Sequence, residues 1–222
     1  FSSRRRHTRY ISVTGVQTCA LPISTYRGPP ILALGFRPFY LLAAAFGAVA
    51  MAAWVAMYLG WWTPAAQPWL GSMAWHAHEM VFGFAAAVVV GFLFTAGKNW
   101  TGLQTPQVAW LGALAGVWVL ARVLMWTGPA WAAIAADIAF LPLCSLSFYS
   151  ILRRARSHRN YGLAIALGVL GALNLGFHAA VQAGRIDWAL HAAEAATGLV
   201  ADRKSTRLNS SHTDISRMPS SA

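Results

Sequence analysis

Histidines are the side chains of this sequence with the clearest capacity for chemistry. His76 and His78 stand two residues apart in one apolar stretch, and His178 and His191 lie in two later ones. Neutral imidazole is a common ligand for copper, iron and zinc, and an axial ligand of haem. Ionisable side chains in membrane helices are costly and usually face the bundle interior, where they mark ion or cofactor sites. These histidines therefore predict a metal or haem site if the apolar stretches bring them together.

The apolar stretches are of the length that crosses a bilayer. A hydrocarbon core about 30 Å thick needs a helix of about 20 residues. The chain is 57% hydrophobic and only 10% charged, which is typical of membrane proteins. We predict an all-α polytopic membrane protein of about six transmembrane helices, at about 38–60, 76–96, 107–126, 129–152 (kinked at Pro142), 160–183, and 187 to a truncation at 201.

Lysine and arginine fall mostly on one side of these helices, which sets the orientation. Arg185 is on the opposite side from seven others. We predict a cytoplasmic N-terminal side, with Trp61, Trp62, Trp69 and Trp75 at the outer interface. The seven are Arg27, Arg37, Lys98, Arg153, Arg154, Arg156 and Arg159.

This topology places the four histidines at one depth. At about 1.5 Å per residue, all lie within roughly the outer third of the bilayer, on the second, fifth and sixth helices. The alternative for any one of them is an interfacial histidine that bonds near lipid headgroups. Four imidazoles at one level on three helices favour a metal or haem site.

The second helix presents its histidines on different faces. His76, Glu79 and Gly83 share one face, whereas His78 points about 160° from His76 if the helix is regular. Both histidines serve one site only if the helix is irregular there, and otherwise they have different partners. Glu79 is a candidate for orienting a ligand histidine through its second ring nitrogen.

The fifth and sixth helices carry further polar groups near their outer ends. Asn174, His178 and Gln182 recur at four-residue spacing and form one polar stripe. His191 and Glu194 are one turn apart on a shared face, so Glu194 is a second candidate for orienting a histidine.

Two charged residues lie within the third and fourth helices. Arg122 is about one turn from the outer end of its helix, and we expect its side chain to snorkel to the interface. Asp137 lies deeper, and it can pair with Arg122 because the two helices form a hairpin. A structural pair is favoured over a proton relay.

The two ends of the chain read as translated sequencing adapter. Residues 20–23 (Ala-Leu-Pro-Ile) can be encoded by GCTCTTCCGATC, whose reverse complement encodes Asp-Arg-Lys-Ser, the run at 202–205. Two protein termini have no physical reason to be reverse complements. We predict non-native segments at 1–24 and 202–222 around a transmembrane domain at 25–201, itself a fragment of a larger protein. The alternative is a pair of basic, disordered tails that bind nucleic acid or anionic lipid.

Setting the ends aside changes the charge balance. Of the formal net charge of +11, +4 belongs to 1–24 and +2 to 202–222, which leaves +5 for 25–201. Most of the apparent nucleic-acid signature therefore lies in the ends, and we expect no nucleic-acid partner. Cys144 is the single cysteine of 25–201, so no disulfide forms within that part.

Two motifs carry a resemblance to a known family. LGFRPFYLL begins at Leu34 and WHAHEMVFGF begins at Trp75, and Asn-Trp-Thr-Gly follows at 99–102. Together they resemble the N-terminal half of the NnrS family, which are bacterial polytopic membrane proteins associated with nitric oxide stress and denitrification and described as containing haem and copper. Members are about twice as long as this chain, with around a dozen spanning helices.

The resemblance implies a function and a set of site residues. It implies a haem- and/or copper-binding protein of the bacterial cytoplasmic membrane that responds to nitric oxide as a small-molecule ligand. An enzyme, a binding protein and a sensor are all compatible with such a centre. The positions that it implies are first His76, His78 and Glu79, then Arg37, with His178 and His191 as further ligands.

Two other classes of function stay open. A secondary transporter or metal-ion permease would line a polar pathway with Asp137, Arg122, Asn174 and Gln182. A structural subunit of a larger respiratory complex would carry no cofactor of its own.

Overall fold

The computed structural model describes residues 28–62 and 70–215, and of residues 202–215 it describes the backbone only. The predicted adapter segment 1–24, Arg27 and Trp69 lie outside the described residues, as do 216–222. All regular secondary structure within the described residues is helical.

The described part contains seven α-helices, one π-helical segment and two short 3-10 turns, at Pro30–Leu32 and His158–Asn160. The second and third α-helices are joined end to end by the π-helical segment, Glu79–Ala85, and form one continuous rod. The α-helices are α1 (Phe36–Tyr58), α2 (Ser72–His78), α3 (Ala86–Thr101), α4 (Val108–Thr127), α5 (Ala130–Arg154), α6 (Tyr161–Gln182) and α7 (Ile186–Ile215).

Five helical rods in the described residues are long and apolar enough to cross a membrane. This confirms the predicted all-α multi-pass membrane fold. The predicted sixth helix, α7, begins next to its expected start but is not among the five. Its apolar part is short, because the charged run Asp202, Arg203 and Lys204 follows Ala201, and it also carries Asp187 and Glu194. The five spans are Phe36–Tyr58, Ser72–Thr101, Val108–Thr127, Ala130–Arg154 and His158–Gln182.

The second span lies at the centre of the bundle. It is 30 residues long, and 56% of its most apolar window is buried, against 17% for α1. It contacts α1 and α5, while α4, α5, α6 and α7 pack against one another in chain order. The N-terminal part of this rod, α2 and the π-helical segment, also contacts α7.

Small residues allow the central rod to approach its neighbours closely. A Cβ atom on Gly97 would lie 2.6 Å from the ring of Phe148 on α5, which is closer than real contacts allow. Glycine at this position therefore lets the backbone of α3 pack directly against the ring of Phe148 on α5. Small residues allow such close approach in membrane bundles. The helix α5 continues through Pro142, where a kink was predicted.

Candidate metal centre

A cluster of polar side chains lies buried inside the bundle. Its members come from α2, the π-helical segment, α4, α5 and α6, and none is more than 4% exposed. Ionisable groups at such positions in a membrane bundle mark functional sites by default. The cluster consists of His78, Glu79, Arg122, Asp137, Asn174 and His178.

The π-helical segment places the first two members of the cluster. It begins at Glu79, directly after His78, and π segments within α-helices occur frequently at functional sites. The sequence pattern grouped Glu79 with His76 on one face of a regular helix. Glu79 Oε1 instead lies 3.0 Å from Nδ1 of His78. The indole N–H of Trp118 donates to the carbonyl of Gly83 at 3.1 Å, so a carbonyl of the irregular segment is satisfied from α4.

Arg122 bridges the two carboxylates of the cluster. One guanidinium nitrogen, Nη1, donates to Glu79 Oε2, and the other, Nη2, donates to Asp137 Oδ1. Its guanidinium also lies 5.9 Å from the ring centroids of Phe46 and Trp118. The expectation that Arg122 snorkels to the interface is therefore wrong. Two buried carboxylates would be left uncompensated without it, and its fork geometry can serve both at once.

Asp137 contacts four of the other five members of the cluster, all except Glu79. Its Oδ2 atom lies 3.1 Å from Nε2 of His78 and 2.8 Å from Nε2 of His178. Asn174 donates its amide N–H to the same oxygen at 2.7 Å, and its own Oδ1 lies 3.0 Å from Nε2 of His78. The pair that was predicted between Asp137 and Arg122 is present, but it is one part of a larger network.

The charges of the cluster do not balance without a further cation. With both imidazoles neutral, Glu79 and Asp137 carry two negative charges and Arg122 carries one positive charge. A net charge buried in a low-dielectric interior is expensive unless it is paired. A proton on one imidazole or a monovalent cation would neutralise this charge, and a divalent ion would leave the cluster with a net charge of +1.

Three members of the cluster meet the requirement for a metal site. His78, Asp137 and His178 each offer a ligand atom, and these atoms all lie within 4.8 Å of one another. Imidazole nitrogen together with carboxylate oxygen suits divalent iron, copper or zinc. Of the two cofactors that the sequence resemblance implies, a copper ion fits this donor set.

Haem does not fit between these histidines. The ring centroids of His78 and His178 are 4.8 Å apart, and both rings approach one oxygen of Asp137, so a macrocycle has no room between them. The rings of Phe82 and Phe177 close the space around His78, with centroids at 5.3 and 4.9 Å.

The structure does not bring all four predicted histidines to the cluster. His76 stacks on Trp54 with ring centroids 4.1 Å apart, on a different face from His78. His191 pairs with Glu194 at 3.2 Å, and both side chains are about three-quarters exposed, at 74% and 75%. His76 and His78 thus have different partners, which was one of the two outcomes that the sequence left open.

Two further predicted polar residues lie away from the cluster. Arg37 donates to the carbonyl of Pro30 at 2.7 Å, close to the start of α1. Gln182, on the predicted stripe of α6, is exposed, whereas Asn174 and His178 of the same stripe are buried in the cluster. The part that sequence reasoning underrated is Asp137, although its position inside an apolar span was a signal in itself.

The fold and the cluster define a class of protein: a multi-pass helical membrane protein with a buried centre of two histidines and a carboxylate. The chain matches the family model of the NnrS protein over residues 30–201. The match covers most of the chain, and the chain belongs to the NnrS family. No curated protein and no solved structure matches it.

Proposed function

We propose that this chain is a metal-binding membrane protein of the NnrS type that acts in the response to nitric oxide. The observation that carries the proposal is the group formed by His78, Asp137 and His178, whose ligand atoms lie within 4.8 Å of one another inside the bundle. The cofactor is a transition-metal ion, for which the donor set is suited.

The position of the cluster suits a small apolar gas. His78 is the last residue of the seven-residue helix α2, so it lies about 9 Å along the axis from the start of the span at 1.5 Å per residue. A diatomic gas partitions into the apolar phase and can reach a buried centre that excludes larger ligands. A metal with only three protein ligands keeps open positions for such a gas.

In the proposed orientation, the end of the bundle that holds the cluster lies on the outer side of the membrane. The excess of Lys and Arg on the opposite loops supports a cytoplasmic N-terminal side in a bacterial cytoplasmic membrane. The centre would then lie nearer the outer face, at the ends of α2, α4, α5 and α6 on that side.

Growth under a nitric oxide donor tests the functional part of the proposal. The gene is deleted from its host and restored as wild type, as Asp137→Ala, or as the control Glu194→Gln, which changes an exposed carboxylate outside the cluster. We expect wild type and Glu194→Gln to restore growth. Asp137→Ala should not restore growth, even when it is present in the membrane at the same level as wild type. Equal growth of the deletion strain and wild type would contradict the role in nitric oxide response.

A second candidate function is a secondary transporter or metal-ion permease. The observation in its favour is that Arg122, Asp137 and Asn174 form a charged and polar network within membrane-spanning helices. Uptake by proteoliposomes that Asp137→Asn abolishes, with no metal retained by the purified protein, would support this candidate over the first.

A further inference from the structure

We infer that the turn between α5 and α6 binds the phosphodiester headgroup of an anionic phospholipid on the cytoplasmic side of the membrane. Four arginines and one histidine occupy five of the seven positions 153–159. This surface lies toward the opposite end of α5 and α6 from the metal centre, so its binding of lipid does not depend on the proposed function. We call it the arginine turn, and it consists of Arg153, Arg154, Arg156, His158 and Arg159.

The arginine turn lies at the edge of the hydrocarbon core. The fourth span ends at Arg154 and the fifth begins at His158, so only residues 155–157 separate two rods that are long enough to cross a membrane. The lipid phosphates lie in the polar layer directly outside the hydrocarbon core. Because the turn is so short, its guanidinium groups stay at the level of these phosphates.

The positive charge of the arginine turn has no internal counterion. All five of its side chains are exposed. In the part of the chain that the structure describes, Arg122 and Arg185 form ion pairs, and none of the four arginines of the turn does. The sequence has no Asp or Glu between Asp137 and Asp187. The turn is therefore complementary in charge to a phosphate.

Arginine clusters of this kind suit a lipid headgroup. A guanidinium group can bind two oxygens of one phosphate at once. Clusters of roughly four to eight basic residues immediately cytoplasmic of a membrane helix are typical of sites for anionic lipids. The composition and the depth of the arginine turn agree with both requirements.

The backbone of the turn has a geometry that usually takes glycine. The amide of Ser157 donates to the carbonyl of Leu152 at 2.9 Å, and the amide of Arg156 donates to the carbonyl of Arg153 at 3.1 Å. These two bonds form the helix-ending motif whose left-handed residue is most often glycine. That residue is Arg156, with a φ of 52°. A Cβ atom is unfavourable in this conformation, so the turn itself gains nothing from an arginine there.

Aromatic rings lie beside the arginine turn and join the two helix ends. The ring centroids of Tyr149 and Tyr161 are 5.4 Å apart, and those of Tyr161 and His158 are 5.0 Å apart. Tyr149 precedes Arg153 by four residues on α5, a spacing that places both on one face. Tyrosine is enriched at headgroup level in membrane proteins. The surface thus offers an apolar contact for a lipid next to a cationic one.

Orientation of the helices does not by itself require such a site. The positive-inside bias depends on the number of basic residues on one side of the membrane, and it selects neither a lipid nor a position. A headgroup site should distinguish anionic from zwitterionic lipid, and its affinity should depend on the individual arginines of the turn.

Native mass spectrometry of the full chain in detergent measures lipid binding. Phosphatidylglycerol or zwitterionic phosphatidylcholine is added to wild type, to Arg156→Gly and to the control Arg185→Gln, which removes an exposed arginine beyond the other end of α6. We expect wild type and the control to prefer phosphatidylglycerol. Arg156→Gly should bind it about fivefold more weakly, as expected for the loss of one charge near the surface. Equal binding of the two lipids by wild type, or wild-type affinity of Arg156→Gly, would overturn the inference.

Thermal unfolding of Arg156→Gly separates a role in lipid binding from a role in the turn. Glycine suits the φ of 52° at this position, so the variant should unfold no earlier than wild type in detergent without anionic lipid. Added phosphatidylglycerol should raise the unfolding temperature of wild type more than that of the variant, because a ligand stabilises the state that binds it. Earlier unfolding of the variant at unchanged lipid affinity would assign Arg156 to the turn and overturn the inference.

A soluble phosphate is the other source of the same chemistry. Inorganic phosphate is added to the complex of wild type with phosphatidylglycerol, at the concentration of the lipid. We expect the lipid to stay bound, because its acyl chains contact apolar surface that a free ion does not use. Displacement of the lipid by inorganic phosphate would identify a soluble anion as the ligand and overturn the phospholipid.

Discussion

Nε2 of His78 and Oδ2 of Asp137 lie 3.1 Å apart, although the two residues are 59 positions apart in the sequence. This contact joins the central rod to α5, and the contact between Asp137 and His178 extends it to α6. Arg122 adds α4 through the other oxygen of Asp137. One carboxylate thus links four helices, so changes at any of these residues should affect both stability and metal binding.

Removal of the Arg122 guanidinium should strongly destabilise the protein. Arg122→Leu leaves the buried carboxylates of Glu79 and Asp137 without their cation, and breaking a buried pair in this way costs about 3–5 kcal/mol. The matched control is Arg185→Leu, which breaks an ion pair with Asp187 whose side chains are more than half exposed. Thermal unfolding in one detergent checks this prediction. Equal effects of the two substitutions would show that the buried network contributes no special stability.

Glu79 should affect the affinity of the site for the metal ion without being a ligand itself. Glu79→Gln replaces the carboxylate whose Oε1 accepts from Nδ1 of His78 with a neutral amide, and the loss of such a charged partner lowers metal affinity by roughly 10–100-fold. The number of ions bound at saturation should stay the same. Competition with a chelator of known affinity measures the change, and Glu194→Gln is the exposed control. A loss of stoichiometry would instead identify Glu79 as a ligand.

Gly83 should tolerate no side chain. A Cβ atom there would lie 2.8 Å from Nη1 of Arg122, 2.9 Å from Oε2 of Glu79 and 3.1 Å from the ring of Phe46. Gly83→Ala should destabilise the protein by about 1–3 kcal/mol, as overpacking does, and lower its metal content.

Gly116→Ala is the matched control for this substitution. A Cβ atom on Gly116, in α4, meets nothing within 4 Å, so the protein should be unchanged or up to about 1 kcal/mol more stable. Thermal unfolding and metal analysis of the two variants give the comparison. Wild-type behaviour of Gly83→Ala would mean that the cluster rearranges without cost.

The two histidines outside the cluster should be dispensable for the metal. His76 stacks on Trp54, and His191 is exposed beside Glu194, so neither reaches Asp137. His76→Ala and His191→Ala should retain the metal content of wild type, whereas His78→Ala should lose it. Metal loss in His76→Ala at normal folding would make His76 a ligand again and contradict this prediction.

The membrane fold follows from local features of the sequence. Each span is a run of about 20 apolar residues, and in a bilayer such a run must form a helix because its backbone has no other hydrogen-bond partners. The predicted boundaries of the spans are therefore near those observed. The second span is the exception: it runs from Ser72 to Thr101, about one turn beyond the predicted bounds of His76 and Ala96 at each end.

The candidate site could be predicted only in part from the sequence. Helix periodicity placed Asn174 and His178 on one face, and the hairpin of the third and fourth helices paired Asp137 with Arg122. Both relations are present in the structure. The depth of a residue along its helix does not specify the direction in which its side chain points. His191 shares the predicted depth of His178 but faces outward, and no local signal distinguished the two.

The sequence by itself determined that the chain is a bundle of apolar helices, with ionisable side chains near one end of the spans, and it carried the motifs of the NnrS family. The tertiary structure alone decided which of those side chains meet. The rotation of each helix about its axis depends on packing against its neighbours, and the π-helical segment at Glu79–Ala85 changes the faces of the central rod. That packing, rather than any spacing within one helix, brings His78, Asp137 and His178 to a single point.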